Sequence, residues 1–112
     1  METQDLDLLR GTLDLMVLKT LSWRPMHGLA VLRWIEQSTR DNFQIEEGAL
    51  YPSLHRMEQR GWLGVEWGVT EKHRDAKYYR LSPAGRRALT AELTKWSRYT
   101  EAVGSVLAAE GA

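Results

Sequence analysis

Residues 47–61 read EGALYPSLHRMEQRG. Leu50, Leu54 and Met57 recur at helical spacing and make a narrow apolar stripe, while Tyr51, Ser53, His55, Arg56 and Gln59 lie off it. The spacing predicts a helix from about Glu47 to Arg60, with Gly61 as its C-terminal stop. Pro52 counts against a helix interior, but the first turn tolerates proline because its N–H groups have no intrahelical partner. A helix beginning near Gly48 or Ala49 puts Pro52 in or just beyond that turn, and Pro52 is expected in the core with the stripe. The stretch is therefore a short helix that buries a thin edge and leaves a broad polar face for something outside the chain.

Reading outward, the chain before this helix carries two more. Leu6, Leu9, Leu13, Met16, Val17 and Leu21 keep a 3.6-residue period, and Leu15 and Leu18 widen the apolar face. That first helix should be central to the core. Pro25 punctuates the break from Ser22 to Gly28. A second helix is expected from about His27 to Ser38, with Leu29, Leu32 and Ile35 inward. Residues 39–47 are polar around Phe43 and Ile45, and read as a loop or a very short strand at Gln44 and Ile45.

Beyond Gly61 the period changes to two. Leu63, Val65 and Trp67 alternate with Gly64, Glu66 and Gly68, as in a strand from Trp62 to Val69. Thr70 to Ala76 is a polar hairpin tip, and Lys77 to Leu81 is a second strand. Ser82-Pro83 pairs a capping residue with proline at the first helical position. The helix it opens runs to about Ala109, roughly 40 Å. Leu89, Leu93, Trp96, Val103 and Leu107, with Thr100 filling a gap, form a seam of nearly 3.5-residue spacing, the pattern of a helix that pairs with another. The expected fold is mainly α: a winged helix-turn-helix of three helices and a two-stranded wing, followed by a long C-terminal dimerisation helix. The expected division is a DNA-binding unit over residues 1–81 and a dimerisation helix over 82–112. In this arrangement the third helix enters the major groove and the hairpin lies on the flanking backbone.

Composition narrows the function. The 112 residues contain no cysteine, which removes disulfides and thiolate chemistry. The acidic start, Met1 to Leu9, lacks the basic flank of a secretory signal, and no apolar run is long enough to span a membrane, so the expected compartment is the cytoplasm. His27, His55 and His73 are far apart and lack metal-ligand spacing, and no glycine-rich phosphate loop follows a strand. No catalysis, metal or cofactor is expected. The net charge is zero, which taken globally opposes nucleic-acid binding. Divided along the chain, residues 1–47 carry −3, residues 48–87 carry +4 and residues 88–112 carry −1. The positive portion coincides with the third helix and the wing.

Several motifs together resemble the PadR family of bacterial transcriptional regulators: Pro25-Met26-His27-Gly28-Leu29, the stretch from Gly48 to Glu58, Gly61, Lys77-Tyr78-Tyr79-Arg80-Leu81 and Ser82-Pro83-Ala84-Gly85. The resemblance covers about residues 8–90. Leu29 departs from it, since the family often places an aromatic residue there. The resemblance implies a homodimeric repressor that binds an inverted-repeat operator, of the small branch with a single C-terminal helix. A winged-helix module that binds protein and not DNA is the alternative.

On this reading the recognition-helix candidates are Gly48, Ala49, Tyr51, Ser53, His55 and Arg56, where Arg56 suits a guanine edge or a phosphate and Gly48 admits close backbone approach. Lys72, His73, Arg74 and Lys77 are the wing candidates, diluted by Glu71 and Asp75. Leu89, Leu93, Trp96, Val103 and Leu107 are the expected dimer interface. Some small relatives hold flat aromatic compounds between paired tryptophans of this helix. The resemblance therefore also implies a candidate effector site, a small planar aromatic molecule held by Trp96 and Tyr99, with Leu13, Met16 and Val17 of the first helix completing it.

Overall fold

The computed structural model describes residues 11–111. Along the chain run α1 (Thr12–Leu21), β1 (Met26–His27), α2 (Gly28–Ser38), α3 (Glu47–Gln59), β2 (Leu63–Val69), β3 (Asp75–Leu81) and α4 (Pro83–Ala108). This is the expected mainly helical fold with a wing and a long last helix. Leu6 and Leu9 of the first apolar face lie outside the described residues.

The hairpin is one strand richer than its sequence indicates. The sheet is antiparallel in the order β1-β3-β2, with Met26 opposite Tyr79 and His27 opposite Tyr78. A two-residue strand is too short to show alternation, so it reads as part of the break around Pro25. Its effect is to tie the start of α2 to the wing. His27 then caps α2, its Nδ1 accepting a hydrogen bond from the Ala30 N–H at 3.3 Å. No strand forms at Gln44 and Ile45. Thr39 closes that loop, its hydroxyl donating to the Ile35 carbonyl at 2.9 Å and accepting from the Phe43 N–H at 3.3 Å. Ile45 is buried and anchors the chain as it enters α3.

One core joins every element. Val17, Leu18 and Leu21 of α1 meet Val31, Leu32 and Ile35 of α2, Leu50, Leu54 and Met57 of α3, and Leu63, Tyr79 and Leu81 of the sheet. Burying each such side chain contributes about 1.5–3 kcal/mol. α1 touches α2, α3, α4 and β3, which makes it the central helix. Leu89 also belongs here. Only 8% exposed, it packs into the chain's own core and is withdrawn from the expected dimer seam. The reason is geometric: α4 lies against β3 and α1, and runs beside the start of α1 as far as Trp96 and Tyr99, so Leu89 faces the chain's own core.

Two small knots fix the third helix relative to the rest. Gly61 adopts φ +78, the left-handed conformation that ends α3. Ser82 reaches back to it, its Oγ donating to the Gly61 carbonyl at 2.5 Å and accepting from the Gly85 N–H at 3.0 Å. Its own N–H donates to the Trp62 carbonyl at 3.0 Å. The end of α3, the root of the wing and the start of α4 thus share one capping residue.

The last turns of α4, beyond Tyr99, are exposed throughout. Leu93, Trp96, Val103 and Leu107 are exposed along it, Leu107 by 80%. The molecule measures 61 × 40 × 21 Å, and this helix of 26 residues, about 39 Å long, accounts for the elongation.

Candidate nucleic-acid interface

α3 presents two faces. Leu50, Ser53, Leu54 and Met57 are buried, whereas Gly48, Ala49, Tyr51, Pro52, His55 and Arg56 are exposed. Two expectations change. Pro52 is not core: it is the sixth residue of a helix that begins at Glu47, and its ring lies in solvent between Tyr51 and His55 on the outer side. Ser53 is not an outward contact. It is fully buried, and its hydroxyl donates to Asp14 Oδ1 of α1 at 2.6 Å. A buried hydroxyl needs such a partner, and Asp14 supplies it from 39 residues away.

Arg56 shares that partner. Its Nη2 lies 2.8 Å from the same Asp14 oxygen, while 49% of its side chain stays exposed. Tyr51 rests on the N-terminus of α2. A Cβ at Gly28 would stand 2.7 Å from the Tyr51 ring, so glycine is what lets the ring settle there.

The wing is aimed by its turn. The Thr70 N–H donates to the Arg74 carbonyl at 2.8 Å, and the Thr70 hydroxyl accepts from the N–H groups of Lys72 and Arg74, both at 3.3 Å. His73 takes φ +57 at the tip. Register pairs Leu63 with Leu81, Val65 with Tyr79 and Trp67 with Lys77, so these residues share the face turned toward the helices. Near the root that face is core. Farther out it emerges, and Trp67 is 72% exposed. Lys77 bridges wing and helix, its Nζ 2.9 Å from Glu58 Oε1 and 5.6 Å from the centroid of the Tyr79 ring. The hydrogen bond to Glu58 holds the Lys77 pKa above its ordinary value, and burial pushes the Tyr79 hydroxyl up.

Between wing, α2 and α3 opens a cleft of about 540 Å³, lined among others by Arg33, Tyr51, Trp67, Lys72, Arg74 and Lys77. His73 is not among its lining residues. Arg33, Lys72 and Arg74 are exposed and form no ion pair among the described residues, and Glu71 and Asp75, also unpaired, line the same concavity and dilute its positive charge. Arg33 escaped notice in the sequence because it belongs to α2, outside the positive segment. Its phase carried the signal: it follows Leu29 by four residues, and both line the cleft.

A second depression, about 460 Å³, lies where α1 meets α4. It is lined by Gly11, Thr12, Leu15, Glu92, Lys95, Trp96 and Tyr99. The Trp96 and Tyr99 rings stack there, centroids 6.2 Å apart and planes at 22°. Of the α1 residues expected here, Val17 is fully buried and Leu13 and Met16 pack against the core, so none lines the groove. α1 contributes instead from its first turn, one helical step away.

A winged fold, a half-exposed third helix and a basic cleft define the kind of chain this is. Residues 17–91 match the family described as the transcriptional regulator PadR-like family. The chain belongs to that family. PadR-like proteins regulate transcription and are not enzymes. This PadR-like regulator is 36% identical over 84 residues to the transcriptional regulator Rv3488 of Mycobacterium tuberculosis, covering 74% of either chain. It superposes on the PadR family transcriptional regulator of Eggerthella lenta with a TM-score of 0.78 at 32% identity, covering 90% of this chain and 86% of that one. A transcriptional regulator from Clostridium thermocellum shares the fold, with a TM-score of 0.79 at 24% identity over 86% of this chain and 93% of that one. Among the described residues, no cluster of His, Asp or Glu is arranged to hold a metal, and no helix is long and apolar enough to cross a membrane.

Proposed function

We propose that this PadR-like regulator is a homodimeric repressor that binds an inverted-repeat DNA operator. The observation that carries the reading is the cleft. Arg33, Lys72 and Arg74 converge on it without internal partners, beside the exposed face of α3. Cations left unmatched in one concavity suit a phosphate strand. The exposed side of α3, with Tyr51, His55 and Arg56, then lies in the adjoining major groove. Glu46 and Glu47 are exposed at the helix entrance and repel phosphate, which favours base edges over backbone there. Gly48 and Ala49 keep that entrance small, and a Cβ at Gly48 would meet nothing within the chain.

The free part of α4 supports the dimer. Leu93, Trp96, Val103 and Leu107 form an apolar seam facing solvent in one chain, and a second copy related by a two-fold axis covers it. Two-fold symmetry in the protein matches two inverted half-sites. Trp96 and Tyr99 line a groove beside that seam, a flat aromatic wall suited to a planar aromatic effector that lifts repression.

The test is a titration with the regulator's own promoter DNA and a scrambled duplex at two salt concentrations. Arg33, Lys72 and Arg74 from two protomers neutralise about six phosphates, so log K should fall with log[salt] at a slope near −5. Affinity that ignores salt and sequence overturns the reading. A protein that retards no duplex but retains a partner in a pull-down is instead an interaction module. For the effector, planar aromatics should quench tryptophan emission in the wild type and not in Trp96→Ala.

A further inference from the structure

Asp14 is chemically out of place in α1. The helix is otherwise given over to the core, and Asp14 is its one acidic residue. Its side chain is only 18% exposed, yet it pairs with none of its helical neighbours. Both of its donors come from α3, three residues apart on one helix face: Ser53 Oγ at 2.6 Å and Arg56 Nη2 at 2.8 Å, both on Oδ1.

The two donors differ in kind. Ser53 is wholly buried, so its hydroxyl cannot exchange Asp14 for water. That bond orients the carboxylate and fixes it to the α3 backbone. Arg56 is half exposed, and only one of its N–H groups is engaged among the described residues. A guanidinium has five N–H donors in a planar fork, so the rest of the fork remains available outside the chain. A long arginine side chain normally samples many rotamers and must be ordered on binding. Here one corner of the fork is pinned before any ligand arrives.

The charge argument points the same way. Lys77 is matched by Glu58 and Arg56 by Asp14, whereas Arg33, Lys72 and Arg74 are unmatched. A matched arginine adds little to the attraction toward arbitrary phosphates, but its fork still recognises a guanine edge.

We infer that Asp14 is a positioning residue for operator recognition: it holds the Arg56 fork in its groove-facing pose and cancels its charge toward non-operator DNA, raising discrimination rather than raw affinity. This rests on the DNA-binding reading above and adds to it a residue outside the wing, α2 and α3.

The experiment compares wild type, Asp14→Asn, Asp14→Glu and Arg56→Gln on operator and scrambled duplexes across salt, with melting temperature measured alongside. Asparagine keeps an oxygen for Ser53 but loses the charge. Asp14→Asn should bind scrambled DNA more tightly than wild type and lower the operator-to-scrambled ratio about tenfold. Its salt slope on scrambled DNA should steepen by about 0.9 per protomer, since Arg56 becomes a free cation. Asp14→Glu should restore most of the ratio. In an Arg56→Gln background, Asp14→Asn should change neither ratio nor slope. A fall in melting temperature with ratio and slope unchanged makes Asp14 a structural residue only and overturns the inference. So does an Asp14→Asn effect that persists without Arg56. If wild type binds no duplex, the DNA-binding reading fails first, and this inference fails with it.

Discussion

Gly85 has no room for a side chain. A Cβ there would run into the backbone carbonyl oxygen of Trp62, the group that accepts from the Ser82 N–H. Backbone cannot swing aside as a flexible side chain does. Gly85→Ala should therefore push α4 off the root of the wing and cost about 1–3 kcal/mol, several degrees in melting temperature. A variant that melts with wild type would contradict that packing. Lys77 and Tyr79 make a second residue-level prediction. Both pKa values are raised in the folded chain, from ordinary values of 10.5 and 10.0, so the folded chain keeps these protons longer than the unfolded one. Their contribution is fully present below the ordinary values and is lost as pH rises through the raised ones. Wild type should thus lose stability as pH rises above the ordinary values of 10.0 and 10.5, and Tyr79→Phe should lose less over the same range. Parallel melting curves would remove Tyr79 from the account. Single residues are also where sequence reading failed most often. Ser53 stands at a stripe position, three after Leu50 and four before Met57, although a serine reads as an outward groove contact. What places it inside is an acceptor on another helix, and one-dimensional spacing carries no trace of that. The same pairing hid Asp14.

At the scale of elements, periodicity was the reliable guide. α2, α3, the hairpin and α4 begin and end within a few residues of where spacing, glycine and Ser82-Pro83 place them. β1 was not legible, because two residues contain no period. Leu89 fits a heptad seam as well as a core stripe over one turn, and only the packing of α1 and β3 beside α4 puts it in the core. The wing offers a test at this scale. Trp67 is mostly exposed on the face turned to the cleft, so it contributes little to the fold. Trp67→Ala should leave the melting temperature within about a degree of wild type while weakening DNA binding about tenfold, the loss of one well-placed aromatic contact. Lost stability with intact DNA binding would place Trp67 in the core instead. The cleft itself was half legible: Lys72, Arg74 and Lys77 were readable from the charge of the segment, but Arg33 required knowing how α2 is turned.

For the whole molecule, the charge sum of zero conceals a spatial sorting that the fold sharpens. Two positive charges near α3 are paired with Asp14 and Glu58, while Arg33, Lys72 and Arg74 line the cleft under the wing together with Glu71 and Asp75. The dimer is tested at this level. Val103→Glu or Leu107→Glu places a charge on the proposed seam without touching the core, since both residues are exposed in one chain. Light scattering should give twice the chain mass for wild type and a monomer for either variant. Operator affinity should fall at least a hundredfold, because two half-sites are then no longer held together. A monomeric wild type would remove the seam from function.

The exposed end of α4 has a mechanical meaning. One end is clamped by Gly85 and Leu89, and from Leu89 to Ala108 the helix is an arm about 28 Å long. A swing of about 5° at the clamp displaces the distant end by roughly 2.5 Å. In the proposed dimer, the distance between the two wings, and so the half-site spacing accepted, would be set by how firmly a few residues at the root of this arm are seated. If the proposed planar effector binds beside Trp96, between α4 and α1, it presses on the arm about a third of the way from the clamp, where a small displacement is enlarged at the far end.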